Sequence, residues 1–162
     1  MKIDVTIVGG GMITHDLILP SLYHLQRTGA VGQIRICALN SQPLRDLQES
    51  ALLQEAFPGQ GFEALPPVHT PPQESFPELY QEAIAGLRPR QVVFVAVPDP
   101  LHHQTVLAAL GRDQHVICVK PLVLRYEQAE QIRELGRQRG LFVGVEYHKR
   151  FDRRALLARG QY

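Results

Sequence analysis

Apolar residues along the chain fall into short runs, and between the runs they recur at helical spacing. Residues 3–8 are apolar at nearly every position from Val5 onward, and residues 34–39, 92–97, 116–119 and 141–145 repeat the style. Runs such as VVFVAV, apolar toward both faces, predict parallel strands covered by helices on either side. Between the first two runs, Ile13, Leu17, Ile18, Leu22 and Leu25 mark a helix that Pro20 should bend. Residues 44–57 predict a second helix ended by Pro58-Gly59, and residues 78–87 a third. Asp99-Pro100 opens a fourth, with Asp99 as N-cap and Pro100 at the first helical position. Residues 127–139 predict a fifth, stopped by Gly140. Residues 59–73, rich in Pro and Gly, read as a loop around one short edge strand. Strands alternating with helices imply an α/β fold, a doubly wound parallel sheet in three layers with right-handed crossovers. Residues 149–162 begin a new helical pattern that buries little by itself.

Composition narrows the class. A chain of 162 residues, 44% hydrophobic, suits one domain with its own core. Lys and Arg number 17 against 16 Asp and Glu, a net charge of +1, which gives neither a nucleic-acid footprint nor an acidic tail. Cys37 and Cys118 both sit inside apolar runs and read as buried free thiols. No apolar stretch approaches the roughly 18 residues of a membrane span, and MKID leads straight into a strand with no signal peptide in view. The expectation is a soluble, cytoplasmic protein.

Candidate chemistry gathers at the ends of the predicted strands. After the first strand come Gly9-Gly10-Gly11-Met12-Ile13-Thr14, a G-x-G-x-x-T loop that opens a helix. Gly9 permits a tight turn. Gly11 lets the backbone approach a pyrophosphate, and the helix start supplies free N–H groups and a positive dipole end. Thr14 stands in place of the third glycine. Dinucleotide binding is the reading; the alternatives are a purely structural turn and a methyltransferase-type nucleotide loop. At the end of the second strand, where NAD sites usually carry Asp or Glu, the chain has Asn40, followed by Ser41 and Arg45. Asn40 can bond a ribose hydroxyl without repelling a 2′-phosphate, Ser41 can donate to that phosphate, and Arg45 can pair with it. The expected cofactor is therefore NAD(P), with NADP favoured. The alternative is that Asn40 caps the next helix and Arg45 is solvated. The fourth strand ends at Pro98-Asp99-Pro100, with His102 and His103 in the following turn. Adjacent helical residues point apart, so these two do not make a metal site; one should pack near the nicotinamide ribose while the other faces solvent. The fifth strand, HVICV, ends on Lys120-Pro121. A lysine projecting from that edge is placed to orient a substrate hydroxyl and help move its proton during hydride transfer. Pro121 stops the ladder.

Taken together, GGGMI, AVPDPLHHQ, HVICVKPL and VGVEYHKRFD, in that order, resemble the N-terminal domain of the glucose–fructose oxidoreductase / inositol dehydrogenase (Gfo/Idh/MocA) family, over about 150 of the 162 residues. The resemblance implies a Rossmann-type NAD(P)-binding domain in residues 1–148. It implies an oxidoreductase acting on sugars, cyclitols or related alcohols. By the same resemblance, Lys120 matches the lysine of a Glu-Lys-Pro motif, Pro98, Asp99 and His102 match the cofactor-side turn, and Arg150 matches the entry to a second domain. There are two departures. The motif's Glu is Val119 here, and the chain stops at Tyr162, about where a second α/β domain carrying a catalytic His would start. Residues 149–162 are thus expected to be the beginning of that domain, with the rest absent. Glu146 and His148, at the end of the sixth strand, are further candidates for the pocket. Two readings stand: the cofactor-binding half of an oxidoreductase, incomplete for catalysis, or a non-enzymatic nucleotide-binding or redox-responsive module. An exposed face where a second domain would pack predicts self-association.

Overall fold

The computed structural model describes residues 2–161; the expected domain limits at Met1 and Tyr162 lie outside the described residues. Six parallel strands form one sheet: β1 (Ile3–Val8), β2 (Val31–Cys37), β3 (Glu63–Leu65), β4 (Val92–Val95), β5 (His115–Val119) and β6 (Val143–Glu146), in the order β3-β2-β1-β4-β5-β6. The helices are α1 (Leu19–Arg27), α2 (Gln42–Gln48), α3 (Ala51–Ala56), α4 (Leu79–Ala85), α5 (His102–Gly111), α6 (Tyr126–Arg139) and α7 (Arg153–Arg159).

The two-residue alternation of the strands divides the core. Val5, Ile7, Ile34 and Ile36 face one side and pack with Leu19, Leu22, Leu44, Leu47 and Leu53 of α1–α3. Val8, Cys37, Val93, Val95, Val116 and Cys118 face the other and pack with Tyr80, Ile84, Val106, Leu110 and Ile132 of α4–α6. This is the doubly wound, three-layer arrangement that the apolar runs predict. The direction of winding reverses between β1 and β4, so their carboxyl ends part and leave a crevice.

Several local expectations need correction. The single helix over residues 44–57 is two helices. Ser50 adopts an extended conformation (φ −62°, ψ 108°), and its hydroxyl accepts from the Leu53 N–H, starting α3 afresh. β2 begins at Val31, earlier than expected, and ends at Cys37; β4 ends at Val95. Asp99 makes no capping bond: it begins a 3₁₀ turn, Asp99–Leu101, and α5 follows. Where a bend at Pro20 is expected, the helix changes type. A π turn, Thr14–Ile18, precedes α1, and the Leu19 N–H donates to Thr14 O. The widened turn sits just before Pro20, which has no N–H to give. Every residue of α7 is exposed.

Candidate functional site

At the crevice lies a cleft of about 530 Å³. Its floor is the loop from Gly9 to Ile13, one wall comes from Ala38 and Leu39 after β2, and the opposite wall from Ala96, Val97 and Pro98 after β4. Gly9 is at φ +117°, and a Cβ there would lie 2.1 Å from Ala96 O, so the loop can pass this close to β4 only as glycine. Its N–H donates to Cys37 O at 2.8 Å, which ties the turn to β2. Gly11 faces open space, with nothing within 4 Å of a Cβ built on it. The helical turn starts at Met12. The amides of Gly11, Met12 and Ile13, residues that line the cleft, therefore have no preceding helical carbonyl to bond. Met12 is 78% exposed, whereas Ile13 packs on the core below. Thr14 is fully buried, and its hydroxyl donates to Gly9 O at 2.6 Å. The residue in the third glycine's place thus braces the loop from beneath. An open concavity faced by free amides, with a backbone approach that a Cβ would obstruct, fits a diphosphate.

The end of β2 is arranged differently from the expectation. Asn40 Oδ1 accepts from the Gln42 N–H at 3.1 Å. Ser41 is wholly buried, and its hydroxyl donates to Thr70 O at 2.6 Å. Arg45 donates through Nε to Val68 O and through Nη2 to Thr70 O at 2.7 Å. Ser41 and Arg45 therefore hold the 68–70 loop rather than presenting these donors to the cleft. That loop runs on to Phe76, whose N–H donates to Leu39 O at 2.8 Å. Phe76, Pro77 and Tyr80 close the adjacent wall, with Pro43 beside them. These apolar residues are the ones that sequence reasoning misses. They reach the cleft through long-range packing, and no local spacing marks them.

On the β4 side, Pro98 lines the cleft; Asp99 is exposed just beyond it. His102 is fully buried. Its Nδ1 lies 2.7 Å from Pro121 O and its Nε2 2.8 Å from Val97 O, so the ring sits behind the wall instead of packing against a ribose. His103 bonds Gln131 at 2.9 Å. Lys120 is exposed at the end of β5, one strand over from the cleft wall, and is joined to half-buried Pro121 by a cis bond. Cys118, two residues earlier, has its thiol pushed up to about 12 by burial and then by the Asp99 charge, which places that carboxylate within electrostatic reach of β5. Glu146 stands in register with Val119, and its Oε2 is 3.3 Å from His148 Nδ1. A carboxylate thus lies on the neighbouring strand, opposite the position where the resembled motif has Glu. Gly9, Gly11, Met12, Ile13 and Pro98 come together around the cleft, whereas Asn40, Ser41, Arg45, Asp99, His102, Lys120 and Pro121 lie around or behind its rim. Among the described residues no group of three or more His, Cys, Asp or Glu is placed to hold a metal, and no helix is long and apolar enough to cross a membrane.

Comparison with known proteins bears on the same face. The family model described as "Oxidoreductase family, NAD-binding Rossmann fold" (GFO_IDH_MocA) matches residues 3–147. A 1,5-anhydro-D-fructose reductase of Ensifer adhaerens is 32% identical over 69 residues, which is 43% of this chain and 21% of that protein. Among solved structures, myo-inositol 2-dehydrogenase from Lactobacillus plantarum superposes with a TM-score of 0.67 at 17% identity, over 99% of this chain and 40% of that one. Biliverdin reductase from Synechocystis sp. PCC 6803, solved with biliverdin and NADP+, superposes with a TM-score of 0.59 at 22% identity, over 92% and 39%. These structural likenesses establish the fold. The chain spans about two fifths of the solved structures it matches.

Proposed function

The chain belongs to the Gfo/Idh/MocA oxidoreductase family as its NAD-binding Rossmann domain, and from that premise we propose that its cleft holds NAD(P) for hydride exchange with a sugar, a cyclitol or a related alcohol. The observation that carries this reading is the loop of residues 9–13, glycine where β4 comes too close for a Cβ and open where a diphosphate would lie. The amides of Gly11, Met12 and Ile13 would hold the diphosphate, and Leu39, Phe76 and Tyr80 offer an apolar wall for the adenosine half. The bound nicotinamide supplies the hydride donor or acceptor. Lys120, exposed and free of any hydrogen bond among the described residues, orients a substrate oxygen and exchanges a proton at Nζ. NADP is accepted because Asn40 brings no carboxylate to repel a 2′-phosphate; Ser41 and Arg45 add less than their sequence positions suggest, since their donors are engaged. Residues 149–162 open a further unit that would complete the substrate pocket and cover the exposed Phe151 and Leu157. Left uncovered, that face promotes self-association, which sedimentation measures directly: a strictly monomeric chain contradicts it.

Titration with NADH and NADPH, followed by nucleotide fluorescence, tests the reading. Saturable binding that Gly11→Asp weakens supports it. Clearly tighter NADH than NADPH sinks the NADP preference, and binding of neither sinks the whole. A second reading, a nucleotide-binding module without turnover, is favoured by Val119 in the motif's Glu position. Turnover with a panel of polyols by the chain together with its substrate unit would exclude it.

A further inference from the structure

His102 has no solvent contact, and both of its ring nitrogens meet backbone carbonyl oxygens, at 2.7 Å and 2.8 Å. A carbonyl only accepts. A neutral imidazole has one N–H and one lone pair, so it satisfies one of these oxygens and turns a lone pair on the other. An imidazolium donates to both, and both distances are hydrogen-bonding ones. The oxygens belong to different turns. Val97 is part of the cleft wall after β4, and Pro121 follows Lys120 after β5.

We propose that His102 is a proton-dependent clamp: the doubly protonated ring ties the cleft wall at Val97 to the Lys120–Pro121 turn, and loss of one proton releases one of them. The ring is a positioning residue for Lys120. That part of the inference rests on the dinucleotide reading given above, whereas the clamp itself does not.

The surrounding groups set the balance. Asp99, in the turn that leads into α5, is a carboxylate whose charge is felt at Cys118. Lys120, in the neighbouring turn, carries the same charge as the protonated ring. The start of α5, where His102 is the first residue, also opposes a cation through the helix dipole. Cys118, its thiol raised to about 12 by burial and by Asp99, stays neutral. α6 reaches this end of α5 through the uncharged Gln131 on His103. Full burial opposes a cation here, whereas the two carbonyl oxygens favour it, because only the protonated ring satisfies both.

The test is long-range proton–nitrogen NMR on protein labelled at its histidine nitrogens, from about pH 5 to pH 8, with His102 assigned by the signals missing in His102→Gln or, if that variant does not fold, by through-bond correlation from its backbone. We expect two ring protons at the acid end. The amides of Asp99, Lys120 and Leu122 should shift with the ring's own midpoint as one proton leaves. A ring that keeps both protons throughout overturns it. A ring with one proton at every pH, or one that titrates while the two turns stay still or move independently, also overturns it. Cofactor affinity is the second readout. NADH binding should weaken by about tenfold as the proton is lost and should be flat with pH in His102→Gln; a flat wild-type profile overturns the link to the site. A chain that binds no dinucleotide at any pH overturns the site assignment, and the ring signals still decide the clamp.

Discussion

Replacing Gly9 and Gly11, one at a time, by alanine should separate folding from binding within one five-residue loop. At Gly9 the backbone is at φ +117°, and the new Cβ would meet Ala96 O at 2.1 Å and Ala96 C at 2.6 Å. The left-handed backbone costs about 1–2 kcal/mol for a residue with a Cβ. Forcing β4 or the loop to move away adds about 1–3 kcal/mol of overpacking. The sum, about 2–5 kcal/mol, corresponds to a fall in Tm of about 4–20 °C at about 2–4 °C per kcal/mol for a chain of this size. At Gly11 no atom lies within 4 Å and the backbone is not left-handed, so Ala fits. Reduced freedom of the unfolded chain there should leave Tm unchanged or raise it by about 0.4–1 kcal/mol equivalent, while the methyl group obstructs the closest approach of a diphosphate. Differential scanning calorimetry with and without NADPH reads both effects: Gly9→Ala melts early, and Gly11→Ala melts normally but loses the stabilisation by cofactor. A Gly9→Ala protein as stable as the parent, or a Gly11→Ala protein that melts early yet keeps its cofactor shift, would refute this division of labour.

Other consequences follow from buried groups. Ser50→Ala removes the cap on Leu53 N and the bond to His15 Nε2 at 2.9 Å, and should cost about 1 kcal/mol in urea denaturation; no change would mean that α3 needs no cap. Thr6 is wholly buried and its hydroxyl has no partner among the described residues, so Thr6→Val should stabilise the fold by about 1 kcal/mol, whereas a loss of stability would mean that the hydroxyl is satisfied. Burial raises the Cys37 and Cys118 thiols from 9.0, and the Tyr23 phenol from 10.0, each to about 12. Their folded-state values lie above the unfolded ones, so the stability they contribute is full below about pH 9 and is lost as pH rises toward about pH 12. Denaturation midpoints should fall across that window, and a midpoint that stays flat there would count against it. For the same reason both thiols should resist alkylation at neutral pH in the native state; fast modification of either would revive the redox-responsive reading.

The sheet is legible because its central strands are covered on both faces, which writes them as nearly unbroken apolar runs: β1, β4 and β5 need little more than VTIV, VVFV and HVICV. The start of β2 is hidden because Gly32 and Gln33 there are respectively half-buried and exposed, so they carry no hydrophobic signal. The break at Ser50 was hidden for the opposite reason. Leu44, Leu47 and Leu53 all face the same core, and their spacing continues across two separate helices. In the cleft, the glycine loop was visible as a motif because its constraint is local. The engagement of Ser41 and Arg45 was not, since their partners Val68 and Thr70 lie in an irregular loop more than twenty positions away, which no periodicity locates. Nor does a His-His pair say which ring turns inward; His102 is fixed by carbonyls on two separate turns.

The central claim is that the crevice between β1, β2 and β4 is a dinucleotide site. A crystal structure of the chain grown with saturating NADPH tests it most directly. The expected result is a diphosphate against the amides of Gly11, Met12 and Ile13, with adenosine toward Leu39 and Phe76 and the nicotinamide directed toward Pro98 and Lys120. Nucleotide bound on any other face, or an empty crevice at saturation, would contradict it.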